Sequence, residues 1–313
     1  MIDLTTAADL VVYGDNADVL PRLPSGSFQL VYIDPPFNTG ERRDRRTLRT
    51  VREDPEGGDR TGFGGRRYTS VETGRMSYPD SFADYAGFLG PRLEEARRLL
   101  TDSGTIYVHL DWREAHYAKV LLDDIFGREC FLNEVIWAYD FGGRAKDRWP
   151  AKHDTILVYV KQMGAHLFDQ DQIERVPYLA PGLVGPVKAE RGKLPTDVWW
   201  HTIVPTGGRE KTGYPTQKPE GVLRRVLQPS TRPGDWVLDF FAGSGTTGAV
   251  AAATGRRFVL VDANPDAVDV MRRRLPDTTS FTDVDGRCFG ASPGPRTPPA
   301  PRARTPGSPA GPG

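Results

Sequence analysis

Asp34-Pro35-Pro36-Phe37 closes an apolar run near the start of this 313-residue chain, and it gathers what is needed to grip an amine on a flat ring. The Asp34 carboxylate can accept one N–H. The carbonyl of Pro35, held by the following ring of Pro36, can accept the other, and Phe37 offers a face for stacking. An exocyclic amine on a nucleobase is a poor nucleophile because its lone pair is delocalised into the ring. Two acceptors on its hydrogens favour a pyramidal nitrogen and aim the lone pair at an electrophile.

Much later in the chain, Phe240-Phe241-Ala242-Gly243-Ser244-Gly245-Thr246-Thr247-Gly248 contains G-x-G-x-x-G between an apolar run and a helical pattern. Glycines there permit a tight turn and a close backbone approach to a ligand, while N–H groups at the helix start face it. Asp239 closes the strand before the loop and Asp262 the strand after it. An acidic residue at the second position suits bidentate hydrogen bonding to ribose hydroxyls. Asp239 suits a ligand with a positive amine better than a pyrophosphate. Taken singly, each motif also fits a plain turn, and the glycine pattern serves nicotinamide and flavin dinucleotides too. Asp-Pro-Pro-Phe is not expected in an oxidoreductase. The pair predicts methyl transfer from a nucleotide-linked donor to a base amine.

The elements that must position these residues follow from hydrophobic period. Residues 10–14 and 28–33 read as strands with helical turns over 17–23 between them. An amphipathic helix over 82–100 leads to a buried strand over 105–110, a helix over 112–126, and strands over 135–139 and 155–160. Residues 220–228 form a helix with Pro219 at its start, followed by a strand over 235–239 and a helix over 245–254. A strand over 258–262 and a helix over 265–275 come last. Residues 41–76 show no period and read as a long loop; between 41 and 75 it carries ten Arg and seven acidic residues, enough to meet phosphates or to be solvated. Residues 290–313, with eight Pro and five Gly, have no apolar face and are expected to be disordered.

Residues 235–275 open a nucleotide-binding half-fold but lack its third strand. The N-terminal strands have the length and character to supply it. A circularly permuted, doubly wound, Rossmann-like α/β sheet would then bring Asp15, Asp34 and the glycine loop together at the carboxyl ends of neighbouring parallel strands, where ligands bind in open sheets. The expected layout is a catalytic half over 1–160, a small inserted recognition region over 161–211, a cofactor half over 212–289 and the tail.

Composition narrows the class further. The 41 basic and 41 acidic residues cancel, so net charge points to no polyanion. Cys130 and Cys288 fit no metal or redox spacing, and the five His show no HxxH or HxxE, so no metal is expected. No run reaches membrane-spanning length and no leader pattern opens the chain; a soluble, cytoplasmic protein is the expectation.

At these residues the chain resembles the amino-methylating DNA methyltransferases that use S-adenosylmethionine, in the permuted group where the catalytic motif precedes the cofactor motif. The likeness spans roughly residues 10–275. Residues 34–40 match the catalytic motif, residues 237–248, which include Phe241, Ala242, Gly243, Ser244, Gly245, Thr246 and Thr247, match the cofactor loop, and Tyr214-Pro215-Thr216-Gln217-Lys218-Pro219 matches the segment before the first cofactor helix. The resemblance implies S-adenosylmethionine as cofactor, with Thr216 and Lys218 near its methionine end, Asp262 at its ribose, and Asp15 or Asn16 near its adenine. It also implies that residues 98–110 and 133–137 surround the base pocket. Phe37 stands where the family more often has Tyr, which keeps the stacking face and loses a hydroxyl. Residues 41–75 align with nothing in the family.

Aspartate rather than serine at position 34 favours adenine N6 over cytosine N4 within the family. The implied reaction is site-specific methylation of duplex DNA on a flipped base; cytosine N4, an RNA substrate and a catalytically idle DNA-binding relic are the alternatives. Trp137, Tyr139, Arg144, Lys146, Arg148, Trp149 and Lys152, with residues 188–211, are candidates for contacting phosphates and base edges. Trp199-Trp200 reads as core or hinge packing and His109 as a satisfied core residue. Any restriction endonuclease partner would be a separate chain, and a homodimer is the self-association considered.

Overall fold

Apolar runs alternate with amphipathic ones along most of this chain, and in the computed structural model the former become strands and the latter helices. The structure describes residues 2–4, 8–39, 41–52, 60–61, 67–80, 82–143 and 145–288. In chain order the strands are β1 (Leu10–Tyr13), β2 (Phe28–Ile33), β3 (Glu41–Arg52), β4 (Arg60–Thr61), β5 (Arg67–Asp80) and β6 (Leu100–Leu110). They continue as β7 (Phe131–Ala138), β8 (His153–Val160), β9 (Val198–Trp200), β10 (Trp236–Asp239), β11 (Arg257–Asp262) and β12 (Ser280–Asp283). The helices are α1 (Asn16–Val19), α2 (Tyr85–Leu99), α3 (Ala115–Phe126), α4 (Pro186–Arg191), α5 (Glu220–Ser230), α6 (Thr246–Ala253) and α7 (Pro265–Arg274).

One sheet of nine strands runs β12-β1-β11-β10-β2-β6-β8-β7-β9. From β12 to β6 every neighbouring pair is parallel, and β8 then runs antiparallel to both β6 and β7. The N-terminal strands bracket the C-terminal pair: β1 lies beside β11, with Tyr13 opposite Asp262, and β2 lies beside β10, with Val31 opposite Leu238. This is the permuted, doubly wound sheet that the motif order implied.

Successive residues of a strand face opposite sides of a sheet, and β2 shows it. Val31 and Ile33 enter a core with Leu89, Leu93 and Leu122 of α2 and α3, whereas Leu30 and Tyr32 enter another with Val222, Val226 and Val250 of α5 and α6. Both faces are covered, so β2 is buried along its whole length and apolar except at Gln29, whose side chain donates to the Ser103 carbonyl (2.8 Å). Helix α2 starts where the Asp84 side chain accepts from the Gly87 N–H (2.7 Å) and buries Leu89, Leu93, Ala96 and Leu99 at helical spacing. Each such Leu contributes about 2 kcal/mol through burial. Helix α3 stops at Gly127, whose φ of 93° few side-chain-bearing residues adopt.

Three expectations need correction. Residues 41–76 hold a ladder, not a loop: β3 pairs antiparallel with β5, Glu41 opposite Asp80 and Arg52 opposite Tyr68, and β4 adds to β5. Thr47, Thr50, Val51, Tyr68, Thr69 and Val71 supply strand propensity there, but a period test needs one apolar face and this sequence has none. Second, the chain does not leave the sheet after residue 275, since β12 adds a parallel edge strand to β1. With four residues and one large apolar side chain, β12 is too short to generate a period. Third, Trp137, a candidate for contacting DNA, is buried in β7 with its indole N–H donating to the His201 carbonyl (2.7 Å), where β9 extends the sheet at β7, with Ala138 opposite Trp200. Trp199 is buried there and Trp200 is exposed. Gly40, Arg144 and residues 290–313, on which expectations were placed, lie outside the described residues. No helix among the described residues is long and apolar enough to cross a membrane.

Candidate active site

Four carboxyl ends of parallel strands meet around one cavity of about 570 Å³. Asp15 and Asn16 follow β1, Asp34 follows β2, Asp239 ends β10 and Asp262 ends β11, and all five line the cavity. Pro35, Pro36 and Phe37 form the wall on one side. Phe241, Ala242, Gly243, Ser244, Thr246 and Thr247 form the opposite wall, with Thr216 and Lys218 between. Of the expected site residues, Gly245 is the one that does not line it. Gly245 turns the chain instead, at φ 72°, with its Cα so close to α7 that a Cβ would lie 2.6 Å from Met271 Cγ.

The Asp34–Phe37 segment is clamped from several directions. Lys218 donates to Asp34 Oδ2, and Asp34 Oδ1 is buried with no hydrogen-bond partner among the described residues. The Tyr85 hydroxyl donates to the Pro36 carbonyl (2.8 Å), which fixes the peptide plane behind the motif. Asn38 then takes the left-handed conformation at φ 53°, which asparagine tolerates better than most residues. Its side chain donates to Glu114 (2.7 Å) and accepts from the Phe82 N–H (2.8 Å). Phe37 packs against His109, ring centroids 6.2 Å apart. His109 is fully buried with both ring nitrogens partnered, to the Tyr32 hydroxyl (2.7 Å) and to Asp154 (3.1 Å), as a satisfied core residue should be. Tyr139, one of the candidates for DNA contact, donates to the same Asp154 (3.0 Å).

On the opposite wall the acidic residues organise the loop. Asp239 accepts from the Phe241 N–H (3.0 Å) and the Thr247 hydroxyl (2.6 Å). Burial pushes its carboxyl up to about 7 against those two bonds, and the charges of Asp34 and Asp262 push the same way. Asp262 accepts from the Gly243 N–H (2.7 Å) and the Asn264 N–H (2.8 Å), and burial still pushes it up to about 6. Gly243, at φ 50°, sits under Tyr214, whose Cε1 would be 3.2 Å from a Cβ there. Arg274 ties the loop to α5 by donating to Thr246 (2.9 Å) and Glu220 (3.0 Å).

Sequence reasoning missed Arg92. From α2 it donates to Asn16 Oδ1 (2.5 Å) and Asp15 (3.1 Å) while its guanidinium lies 4.2 Å from the Phe88 ring centroid. Asn16 in turn donates to the Phe240 carbonyl (2.7 Å), so one chain of bonds joins α2, the end of β1 and the glycine loop. Nothing in the sequence marks Arg92 apart from the other arginines of α2. Phe82, Phe88 and Tyr214 also line the cavity unforeseen as site residues.

The chain and its fold have known counterparts. The N6/N4 methylase family model, described as a DNA methylase, matches residues 28–273. The chain belongs to the N6/N4 DNA methylase family. DNA adenine methyltransferase YhdJ of Escherichia coli K12 is 29% identical over 283 residues, covering 88% of this chain and 85% of that protein. Type II methyltransferase M.HpaI of Haemophilus parainfluenzae is 28% identical over 269 residues, covering 86% and 74%. Among solved structures, the cytosine-N4-specific PvuII DNA methyltransferase aligns with a TM-score of 0.59 at 16% identity, over 87% of this methylase and 88% of that chain. TTHA0409 of Thermus thermophilus, complexed with S-adenosyl-L-methionine, aligns with a TM-score of 0.52 at 21% identity, over 90% and 100%. At such identities the structural likeness establishes the fold.

Proposed function

We propose that this methylase transfers a methyl group from S-adenosylmethionine to adenine N6 in duplex DNA, acting on a base extruded into the cavity. The observation that carries the reading is Asp34 Oδ1, a buried carboxylate oxygen without a partner in a cavity shared with a glycine loop. A buried acceptor left unpaired is costly and marks a place where a ligand donor belongs.

The residues fit the cofactor on their own terms. Asp239 and Asp262 are held as reluctant carboxylates, so hydrogen-bond donors or a positive charge beside them would be favoured. Gly243 lets the Tyr214 ring pack close to the loop, since a Cβ there would lie 3.2 Å from Tyr214 Cε1. When bound, S-adenosylmethionine supplies an electrophilic methyl group on a sulfonium. Asp34 accepts an N–H of the target amine through Oδ1, stabilises the positive charge that develops on nitrogen and takes up the proton shed afterwards. The Pro35 carbonyl accepts the second N–H, and Phe37 stacks on the base. Walls that held base and cofactor side by side would bring the amine nitrogen towards the methyl group, and such positioning can lower a barrier by about several kcal/mol. By this reading Asp15, Asn16, Thr216 and Lys218 border the cofactor, and the loop after β7 with its exposed Trp149 meets the duplex.

Adenine is favoured by the carboxylate at position 34 and by the likeness to YhdJ; cytosine N4 is the second reading, favoured by the fold of the PvuII enzyme. The deciding experiment is sequencing that detects modified bases in DNA from a host expressing this chain. N6-methyladenine at one sequence context is expected. N4-methylcytosine without N6-methyladenine would withdraw the target base, and no modification would withdraw the activity.

A further inference from the structure

A carboxylate that waits for an amine has no need of a second cation, yet the Lys218 ammonium donates to Asp34 Oδ2. The two side chains are only 11% and 15% exposed, so the pair belongs to the cavity wall and not to a solvated surface. The ammonium also lies 5.1 Å from the centroid of the Phe37 ring, which puts it at the rim of any base stacked there. Its backbone is fixed from the cofactor side, because the Lys218 carbonyl accepts from the Thr246 hydroxyl (3.1 Å) and Pro219 is the N-cap of α5. An ammonium has three donors, and one of them is used by Asp34. The wall therefore presents an acceptor, Asp34 Oδ1, next to a donor, Lys218 Nζ.

We propose that Lys218 donates to the ring nitrogen beside the target amine, so that Asp34 and Lys218 together read an amine and a bare ring nitrogen as one edge. The inference rests on the proposed methyl transfer to a base amine. Adenine offers that edge twice, N6 with N1 and N6 with N7, and cytosine once, N4 with N3. Thymine carries an oxygen where the amine would be, as guanine does at O6, and that oxygen would face the Asp34 carboxylate; the N2 amine of guanine beside N3 is the one further edge of this kind, on the minor-groove side of the base. The pair thus favours an amine beside a bare ring nitrogen and disfavours thymine and the O6 edge of guanine. A hydrogen bond to the ring nitrogen draws the lone pair of the amine further into the ring, so Lys218 acts on which base is held and not on how fast the held base reacts. Losing it raises KM for DNA more than it lowers kcat.

The test compares the wild-type chain with Lys218→Met at saturating S-adenosylmethionine on duplexes whose target adenine is replaced by 1-deazaadenine or 7-deazaadenine. If the modified base proves to be cytosine, 3-deazacytosine takes their place. One replacement should cost the wild type about tenfold in kcat/KM, the size of one lost hydrogen bond to a base, and the same replacement should cost Lys218→Met almost nothing. The two adenine analogues tell which ring nitrogen is read. No penalty in the wild type from any analogue, or an equal penalty in Lys218→Met, overturns the inference; the second result would leave Lys218 as a clamp on Asp34 alone. Should Lys218→Met not turn over, the same comparison by fluorescence anisotropy of duplex binding gives the answer without chemistry. If the wild type methylates no unmodified duplex at all, the enzymatic reading has failed first, and that result is read before any analogue is tried.

Discussion

Asp34 is a carboxylate with its two oxygens in different circumstances, one bonded to Lys218 and one buried and unpartnered. Asp34→Ala should reduce methyl transfer by on the order of a thousandfold or more while leaving cofactor affinity near the wild-type value, since in the proposed function the carboxylate acts on the amine in the transition state. Single-turnover assays with calorimetric titration of the cofactor check both halves of that statement, and near wild-type turnover would remove Asp34 from the chemistry. Asp239 and Asp262 give a pH dependence of known sign. Both titrate higher in the folded chain than their usual range, about 7 and about 6, so the unliganded fold binds more protons than the unfolded chain and loses stability as pH rises through that window. A ligand that donates to these carboxyls favours their ionised forms, so S-adenosylmethionine should bind more tightly as pH rises from 6 to 7 and should release protons as it binds. Calorimetry in buffers of different ionisation enthalpy measures the release; affinity independent of pH would detach Asp239 from the cofactor. At this scale the sequence was legible where the chemistry is contiguous, as in residues 34–37 and 240–248. It was silent where bonds join distant residues: Lys218 meets Asp34 across 184 positions and Arg92 meets Asn16 across 76.

Between residue and domain, the glycine loop depends on α7 as much as on its own turn. Gly245→Ala would place a methyl group 2.6 Å from Met271 Cγ at a φ of 72°, so it should cost about 1–3 kcal/mol and weaken cofactor binding together with the loop. A thermal melt and a cofactor titration of that variant are the measurements; an unchanged melting temperature with unchanged affinity would show that α7 yields without resistance. Burial explains why most elements were readable. Strands β2, β6 and β8 are buried along most of their length and helices α2, α3 and α5 carry one apolar stripe, so burial writes itself into the period. The pairing of β3 with β5 and the edge strand β12 were unreadable for the opposite reason. Their backbone ladders exist without an apolar face long enough to register.

For the whole molecule, the bracketing of β10 and β11 by β1 and β2 makes the two halves mutually dependent. A fragment of residues 212–288 would keep the β10–β11 pair but lose β1, the strand that joins β12 to the rest of the sheet. Expressed alone, it should show no cooperative thermal transition, and mixing it with residues 1–211 should be required for one to appear. A sharp melt of the fragment by circular dichroism would mean that the cofactor half is a domain in its own right. This dependence was legible in the order of the motifs, because a glycine loop followed by only one more apolar run cannot complete a half-fold. Which N-terminal strand sits beside which C-terminal one was not, since parallel neighbours leave no mark on each other's sequence.

That topology has a consequence for the nascent chain. On the ribosome β2 and β6 emerge early and can pair, but the strand that covers the other side of β2 begins only at Trp236. At ~5–20 residues per second the apolar edge Phe28–Ile33 stands uncovered for on the order of ten seconds after β6 is complete. Strand β1 waits longer, because both of its neighbours, β11 and β12, are made after β10. An exposed apolar edge pairs with whatever strand it meets first. For this methylase the interval before β10 arrives is when neighbouring copies on one messenger are most apt to capture each other, and slowing translation between residues 110 and 236 should lower its soluble yield.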